Sequence, residues 1–397
     1  LTRRSFLASA GLVWAGLATG LGSVLPATAS GSVPEVSFAY VEGAHLATGM
    51  PDNIRLLAES QLFLQNALKT INQEGVDFVL FGGDQVEGPG RDETHWQLFI
   101  DVAQVLNAPW YFIMGEQDIS GPIPVDKMRT YGPDLKGRGL NSPDTYWSLD
   151  PVSGLHLIGL DTARANSNTG EMRSQQLEWL KEDLKKNSGK FTVVASHHPL
   201  LPPPPYDSGP PWEEYIVSQG AQAREILGSS RDVRLVLSGH VGANKIQKER
   251  DIWYVSCPSL AVYPCQFKIF RLSAGGILVE TYQITYEALV KKAKKELASS
   301  RLAFQYSSRK PLTYLKIVEG EELDRQSYLP LAPGAVPLKP AKKAKKPKSN
   351  KKEKPPKAKP EPQEKIMKNS TKPTEPAATP ENQVDLKSKM PKQSKDN

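Results

Sequence analysis

Cysteine is nearly absent from this chain: Cys257 and Cys265 are the only two in 397 residues, so at most one disulfide can form. They flank a hairpin-like stretch, and the sequence leaves open both a bond between them and two buried free thiols. Histidine is scarce, with six residues. Beyond Leu25 no apolar run approaches the ~20 residues that a membrane-spanning helix needs. There is no internal repeat and no specific nucleic-acid-binding motif. A net positive charge is missing from the body even though the formal net charge of the chain is +7. Residues 331–397 carry 18 lysines against 7 acids, which leaves 32 basic and 36 acidic groups in the rest. The basic balance therefore belongs to one end and says nothing about the partners of the remainder.

Both ends have compositions of their own. Thr2-Arg3-Arg4-Ser5-Phe6-Leu7 matches the twin-arginine export pattern, ahead of an apolar run from Leu7 to Leu25 and a small-x-small cleavage site, Ala27-Thr28-Ala29. Residues 1–29 are thus expected to be an export signal, with the mature chain outside the cytoplasm; left uncleaved, the same run would anchor the chain in the membrane. From about Ala332 the composition turns to Lys, Pro, Ala and Glu, which cannot bury enough apolar surface to order itself. A disordered tail is expected over 336–397. Its lysines suit an anionic envelope polymer or lipid, or serve as a solubilising spacer.

In between, apolar runs alternate with amphipathic segments, the α/β pattern. Strands are expected at 36–41, 78–81, 110–114, 155–160, 191–195 and 233–237, and helices at about 52–72, 91–106, 173–186 and 218–227. After Gly239 the strand-like stretches 251–256, 266–272 and 276–284 follow one another without helices, which predicts antiparallel pairing there. Residues 286–300 read as a basic amphipathic helix. A folded domain over 35–300 and a C-terminal extension over 301–335 follow.

Five of the expected strands end on chemistry-bearing residues. They run into Glu42-Gly43-Ala44-His45, Gly82-Gly83-Asp84, Gly115-Glu116-Gln117-Asp118, Ser196-His197-His198-Pro199 and Ser238-Gly239-His240. In α/β sheets ligands gather at the carboxyl ends of the strands, and carboxylates with imidazoles are the donors a divalent metal takes. Each piece alone has a plain structural reading, since Gly-Gly-Asp is a common turn and Asp a common helix cap. Turns alone do not account for all five in this order.

That series, over roughly residues 36–284, resembles the calcineurin-like metallophosphoesterases. Their motifs run Asp-x-His, Gly-Asp, Gly-Asn-His-Asp/Glu, a His often followed by His-Pro, and Gly-His-x-His. Leu160-Asp161-Thr162 and Gln176-Leu177-Glu178-Trp179-Leu180 also look like family segments. The resemblance implies two mixed β-sheets packed as a sandwich flanked by helices. It implies two metals sharing the Gly-Asp carboxylate, and a general-acid His that protonates the leaving oxygen.

The departures decide what is expected of this chain. Gly43 stands in place of the Asp of the first motif, Glu116 in place of Asn, Gln117 in place of the general-acid His, and Gly242 in place of the last His. By resemblance, one metal keeps Asp84, Glu116, His197 and His240, while the other keeps only His45 and Asp84. One divalent ion per chain is expected, and two imidazoles with two carboxylates suit manganese, iron or zinc. Glu42 is not expected to replace the missing Asp, because adjacent strand residues point to opposite faces. Gln117 cannot act as an acid, so Asp118, His198 and Asp161 become candidates for proton transfer, each with a structural role as its plainer reading. The loop with Pro202–Pro205, Tyr206 and Pro210-Pro211-Trp212 follows His197 and reads either as a stiff substrate-selecting wall or as a rigid surface excursion. Two functions remain: a hydrolase of phosphate mono- or diesters, weak or using one metal, and a catalytically inactive binding protein of the cell envelope built on the same fold.

Overall fold

The computed structural model describes residues 33–88, 94–120 and 145–331. The expected export signal, the Lys/Pro tail and the first residues of the expected second helix lie outside the described residues.

Among the described residues there are twelve strands: β1 (Val36–Val41), β2 (Phe78–Phe81), β3 (Trp110–Phe112), β4 (Trp147–Val152), β5 (Leu155–Leu160), β6 (Phe191–Ser196), β7 (Val233–Ser238), β8 (Lys245–Glu249), β9 (Ile252–Ser256), β10 (Gln266–Ser273), β11 (Gly276–Gln283) and β12 (Gln326–Pro330). They form two six-stranded mixed sheets, ordered β12-β11-β10-β1-β2-β3 and β4-β5-β6-β7-β9-β8. The helices are α1 (Ser60–Glu74), α2 (Thr94–Ala103), α3 (Ser174–Lys186), α4 (Gly220–Ser229), α5 (Glu287–Ala298), α6 (Arg301–Tyr306), α7 (Thr313–Glu319) and α8 (Glu322–Arg325).

Three apolar clusters define the layers. Phe38, Tyr40, Leu80, Val193, Leu235 and Phe270 fill the space between the sheets. Ala39, Val41, Phe63, Leu68, Val79 and Phe99 pack the first sheet against α1 and α2. Leu160, Leu177, Leu180, Val194, Val236 and Leu227 pack the second against α3 and α4. Central strands such as β1 are buried on both faces, which explains their unbroken apolar runs.

The expected strands recur nearly residue for residue; the edge strands β4, β8 and β12, with their mixed polarity, did not stand out. The antiparallel expectation after Gly239 holds for β10 with β1 and β11, whereas β9 also pairs in parallel with β7. The first helix begins later than expected. The Asp52 carboxylate accepts the Ala58 N–H at 2.9 Å and caps a short 3₁₀ turn, Leu57–Glu59, ahead of α1. The segment after residue 300 is built into the body: β12 extends the first sheet through β11, and the buried Lys268 ammonium donates to Asn244, Thr281 and the Asp324 carbonyl. Both thiols are free and buried.

Away from the strand ends that carry the motifs, His156 on β5 is clamped between Asp150 (Nδ1, 2.8 Å) and Asp183 (Nε2, 2.7 Å), tying β4 to α3. Burial opposes its charge, but the hydrogen bonds to Asp183 and Asp150 win and raise its pKa. The stabilisation is therefore complete below the unfolded value of about 6.5 and fades as pH rises through the higher folded value. His156→Ala is expected to cost about 2–4 kcal/mol at pH 5.5, with a smaller deficit at pH 9, read from urea denaturation of both proteins.

Candidate metal centre

The ligand-bearing loops leave the carboxyl ends of β1, β2 and β3 in one sheet and of β6 and β7 in the other, so the site straddles the edge where the sheets meet. His45, Asp84 and His240 all adopt left-handed backbone, with φ of 46°, 53° and 61°. Non-glycine residues held this way cost on the order of 1–3 kcal/mol each and concentrate at functional sites. Two glycines permit the approach. A Cβ on Gly83 would lie 2.1 Å from His197 Nδ1, and one on Gly115 would lie 2.1 Å from Asp84 Oδ1.

Asp84, Glu116, His197 and His240 each offer a donor atom, and these atoms all lie within 4.8 Å of one another. His197 is fully buried, and its Nδ1–H donates to the Gly82 carbonyl at 2.9 Å, which fixes the tautomer and leaves Nε2 as a lone-pair donor facing the cluster. Asp84 is oriented by the Gln117 N–H, which donates to Oδ1 at 2.9 Å. Glu116 Oε2 comes within 2.9 Å of His197 Nε2 and 3.2 Å of His240 Nδ1. His198 Nε2 and His240 Nε2 are buried with no hydrogen-bond partner, and Glu116 Oε2 and His197 Nε2 meet no partner outside the cluster. Such orphaned donors turned toward one point are costly unless a cation gathers them, so the residues fit a divalent metal.

The electrostatics agree. Burial alone would raise the Glu116 pKa, but His240 and His197 pull it well below the carboxylate range. Burial opposes a charge on His197, yet Asp84 and Glu116 outweigh it and raise its pKa well above the ordinary. His198 is held neutral, by burial first and then by His240 and His197.

The other expected site residues divide. His45 lies at the edge of the four: its Nε2 is 3.8 Å from Asp84 Oδ2, and its Nδ1 pairs with Glu87 at 2.8 Å. Asp118 does not reach toward the open side. It is fully buried, with Oδ1 accepting the Val86 N–H and Oδ2 the Gly115 N–H and the Gln85 amide, so both oxygens are engaged in joining two ligand loops. His198 does belong to the cluster, its ring 4.2 Å from that of His240 and its Nδ1 3.0 Å from Thr162 Oγ1. The Asp161 carboxylate accepts from the Thr145 hydroxyl and the Ala163 N–H, while its backbone N–H donates to Gln176.

Sequence reasoning missed Glu87, an acid buried behind His45 that no local pattern marks. It also undervalued Glu42. That residue does face away from Gly43, but the face it turns to is where β7 ends: its carboxylate accepts the His240 N–H at 3.1 Å, and a Cβ on Gly239 would collide with it. Burial, reinforced by the Asp84 and Glu116 charges and opposed by His197, pushes the Glu42 carboxyl up to about 8. At Gly43 the missing carboxylate has no room, because a Cβ there would lie 2.3 Å from Ser259 Oγ.

Residues 60–243 match the calcineurin-like phosphoesterase family. The matched stretch contains the donors Asp84, Glu116, His197 and His240. The chain is 29% identical over 221 residues to a cAMP/cGMP dual specificity phosphodiesterase of Mycobacterium tuberculosis, covering 54% of this chain and 63% of the relative. It is 27% identical over 187 residues to a 3',5'-cyclic adenosine monophosphate phosphodiesterase of Haemophilus influenzae, covering 46% and 61%. The chain thus spans somewhat under two thirds of the length of these relatives. A dimetal phosphatase of Danio rerio superposes with a TM-score of 0.50 at 15% identity, over 64% of this chain and 99% of that one, a likeness of fold. The two mixed sheets with flanking helices are the metallophosphoesterase-like fold.

Proposed function

We propose that this chain is a metal-dependent phosphodiesterase working with a single divalent ion, and that 3',5'-cyclic nucleotides are its substrate class. The convergence of Asp84, Glu116, His197 and His240 carries the reading; the cyclic nucleotide part leans on the names of the relatives. Asp84, Glu116, His197 and His240 would hold the ion, whose chemistry there would be Lewis-acid charge offsetting the phosphate and acidifying water. Asp84 and His197 are held in place by the Gln117 N–H and the Gly82 carbonyl. The Gln117 amide is a neutral donor that can orient an ester oxygen but has no proton to give up. Loss of a general acid costs ~10²–10⁴ in rate for a poor leaving group and little for a good one.

The test is hydrolysis of cyclic AMP, cyclic GMP and bis-para-nitrophenyl phosphate by the full chain loaded with manganese, with His197→Ala as control. Metal-dependent turnover of all three is expected, faster on the aryl ester by about tenfold or more and lost in the variant. A metal-loaded chain that hydrolyses none of them refutes the proposal. It would leave the second reading, a binding protein, which the filling of the Gly43 corner by Ser259 favours.

A further inference from the structure

The proline-rich loop after His198 and the helices that follow β11 meet beside the metal centre. Tyr206 and Tyr314, both fully buried, share a hydrogen bond between their hydroxyls at 2.6 Å. Trp212 lies stacked on Tyr314, with ring centroids 6.2 Å apart and planes 15° from parallel. Tyr215 packs on this scaffold, 5.8 Å from Tyr206 and 6.3 Å from Trp212. The Tyr215 ring also lies 6.0 Å from that of His240. The buried rings hold Tyr215 in one orientation, yet Tyr215 itself stays part-exposed. A part-exposed aromatic ring, packed on buried rings at the margin of a phosphate-directed site, is what a flat ring system carried by a phosphate ester would stack on.

We propose that Tyr215 is the platform of a nucleobase subsite, so that a nucleotide binds with its phosphate at the four donor residues and its base against this ring. The subsite rests on the phosphoester reading of the metal centre. A ring bonded directly to the ester oxygen has no spacer to carry it past His240, whereas a sugar supplies one. Base–aromatic stacking of this kind contributes enough to change affinity by about ten- to a hundredfold.

The experiment measures equilibrium binding of adenosine 5'-monophosphate, ribose 5-phosphate and phenyl phosphate to the manganese-loaded full chain. It includes Tyr215→Phe, which keeps the ring, and Tyr215→Leu, which keeps the apolar packing. The parent and Tyr215→Phe are expected to bind the nucleotide at least about tenfold more tightly than ribose 5-phosphate or phenyl phosphate, and Tyr215→Leu to lose that preference while keeping its affinity for ribose 5-phosphate. Equal binding of all three ligands by the parent, or no binding of any, overturns the subsite, as does a preference that survives in Tyr215→Leu. Preference for phenyl phosphate would also overturn it in favour of an aryl ester. Because binding is read without turnover, a chain that binds nucleotide and fails to hydrolyse it would refute the phosphodiesterase proposal and leave the subsite standing.

Discussion

Alanine at Asp84, His197 or His240 is expected to bring the bound divalent metal from about one ion per chain to a small fraction of that, while His45→Ala leaves most of it in place. The first three substitutions each remove one of four donors that lie within 4.8 Å of one another. Even loss of an outer partner of a ligand weakens metal binding by ~10–100-fold, and loss of the ligand itself does more. His45 differs in kind. It stands 3.8 Å from Asp84, is held by Glu87, and would share a second ion only with Asp84, because positions 43 and 242 are glycines. Elemental analysis after dialysis gives the stoichiometry. The rise in melting temperature on adding metal gives a second reading, since an ion that binds only the folded chain stabilises it. Two firmly held ions in the parent, or full occupancy in Asp84→Ala, would contradict the single-ion centre.

The second large effect concerns the glycine in the first motif. Gly43→Asp supplies the Asp of the first motif that the chain resembles, yet it is expected to destabilise the chain by about 3 kcal/mol and to recruit no second ion. Gly43 has φ of +60°, and its Cβ would lie 2.3 Å from Ser259 Oγ and 2.9 Å from Ser259 Cβ. That serine donates a hydrogen bond to the Gly43 carbonyl at 3.0 Å, so it cannot swing aside without losing a buried bond. Combining Gly43→Asp with Ser259→Gly should recover most of the loss. Gly242 shares the left-handed backbone, with φ of +62°, but opens on free space, so Gly242→His should cost only about 1 kcal/mol. Denaturant melts of the three variants settle the matter, and a stable Gly43→Asp that binds a second ion would show the corner to be merely vacant. The expected outcome makes this half of the site a rebuilt one rather than a decayed one.

Much of this was legible in the sequence, because the strands that carry the ligands are buried on both faces and announce themselves as short apolar runs. The four donors were readable for the same reason, each standing directly after such a run. Asp118 shows where that logic stops. It has the same position relative to its strand as a ligand could have, and only the loop geometry reveals that backbone and amide donors consume both of its oxygens. Glu42 fails in the opposite way. Alternation along β1 gives its face correctly, but which element covers that face depends on a residue almost two hundred positions away. Ser259 is invisible for the same reason: nothing near Gly43 in sequence hints at what fills its corner.

The position of β1 has a consequence for the order of assembly. Its parallel neighbour β2 follows within the same stretch of chain, with Phe38 opposite Phe78, but its antiparallel neighbour is β10, with Val36 opposite Leu272. Contacts of such sequence separation form slowly, because a long loop must close before they contribute. While the chain is being synthesised, the first sheet therefore stays open along its middle until nearly the whole described body has emerged. The loops that carry His45 and His240 are fastened through Glu42, which accepts the His240 N–H, and Ser259, which donates to the Gly43 carbonyl. Metal capture is therefore expected to follow closure of the sheet, which a refolding rate unchanged by added metal would bear out and a rate raised by metal would contradict.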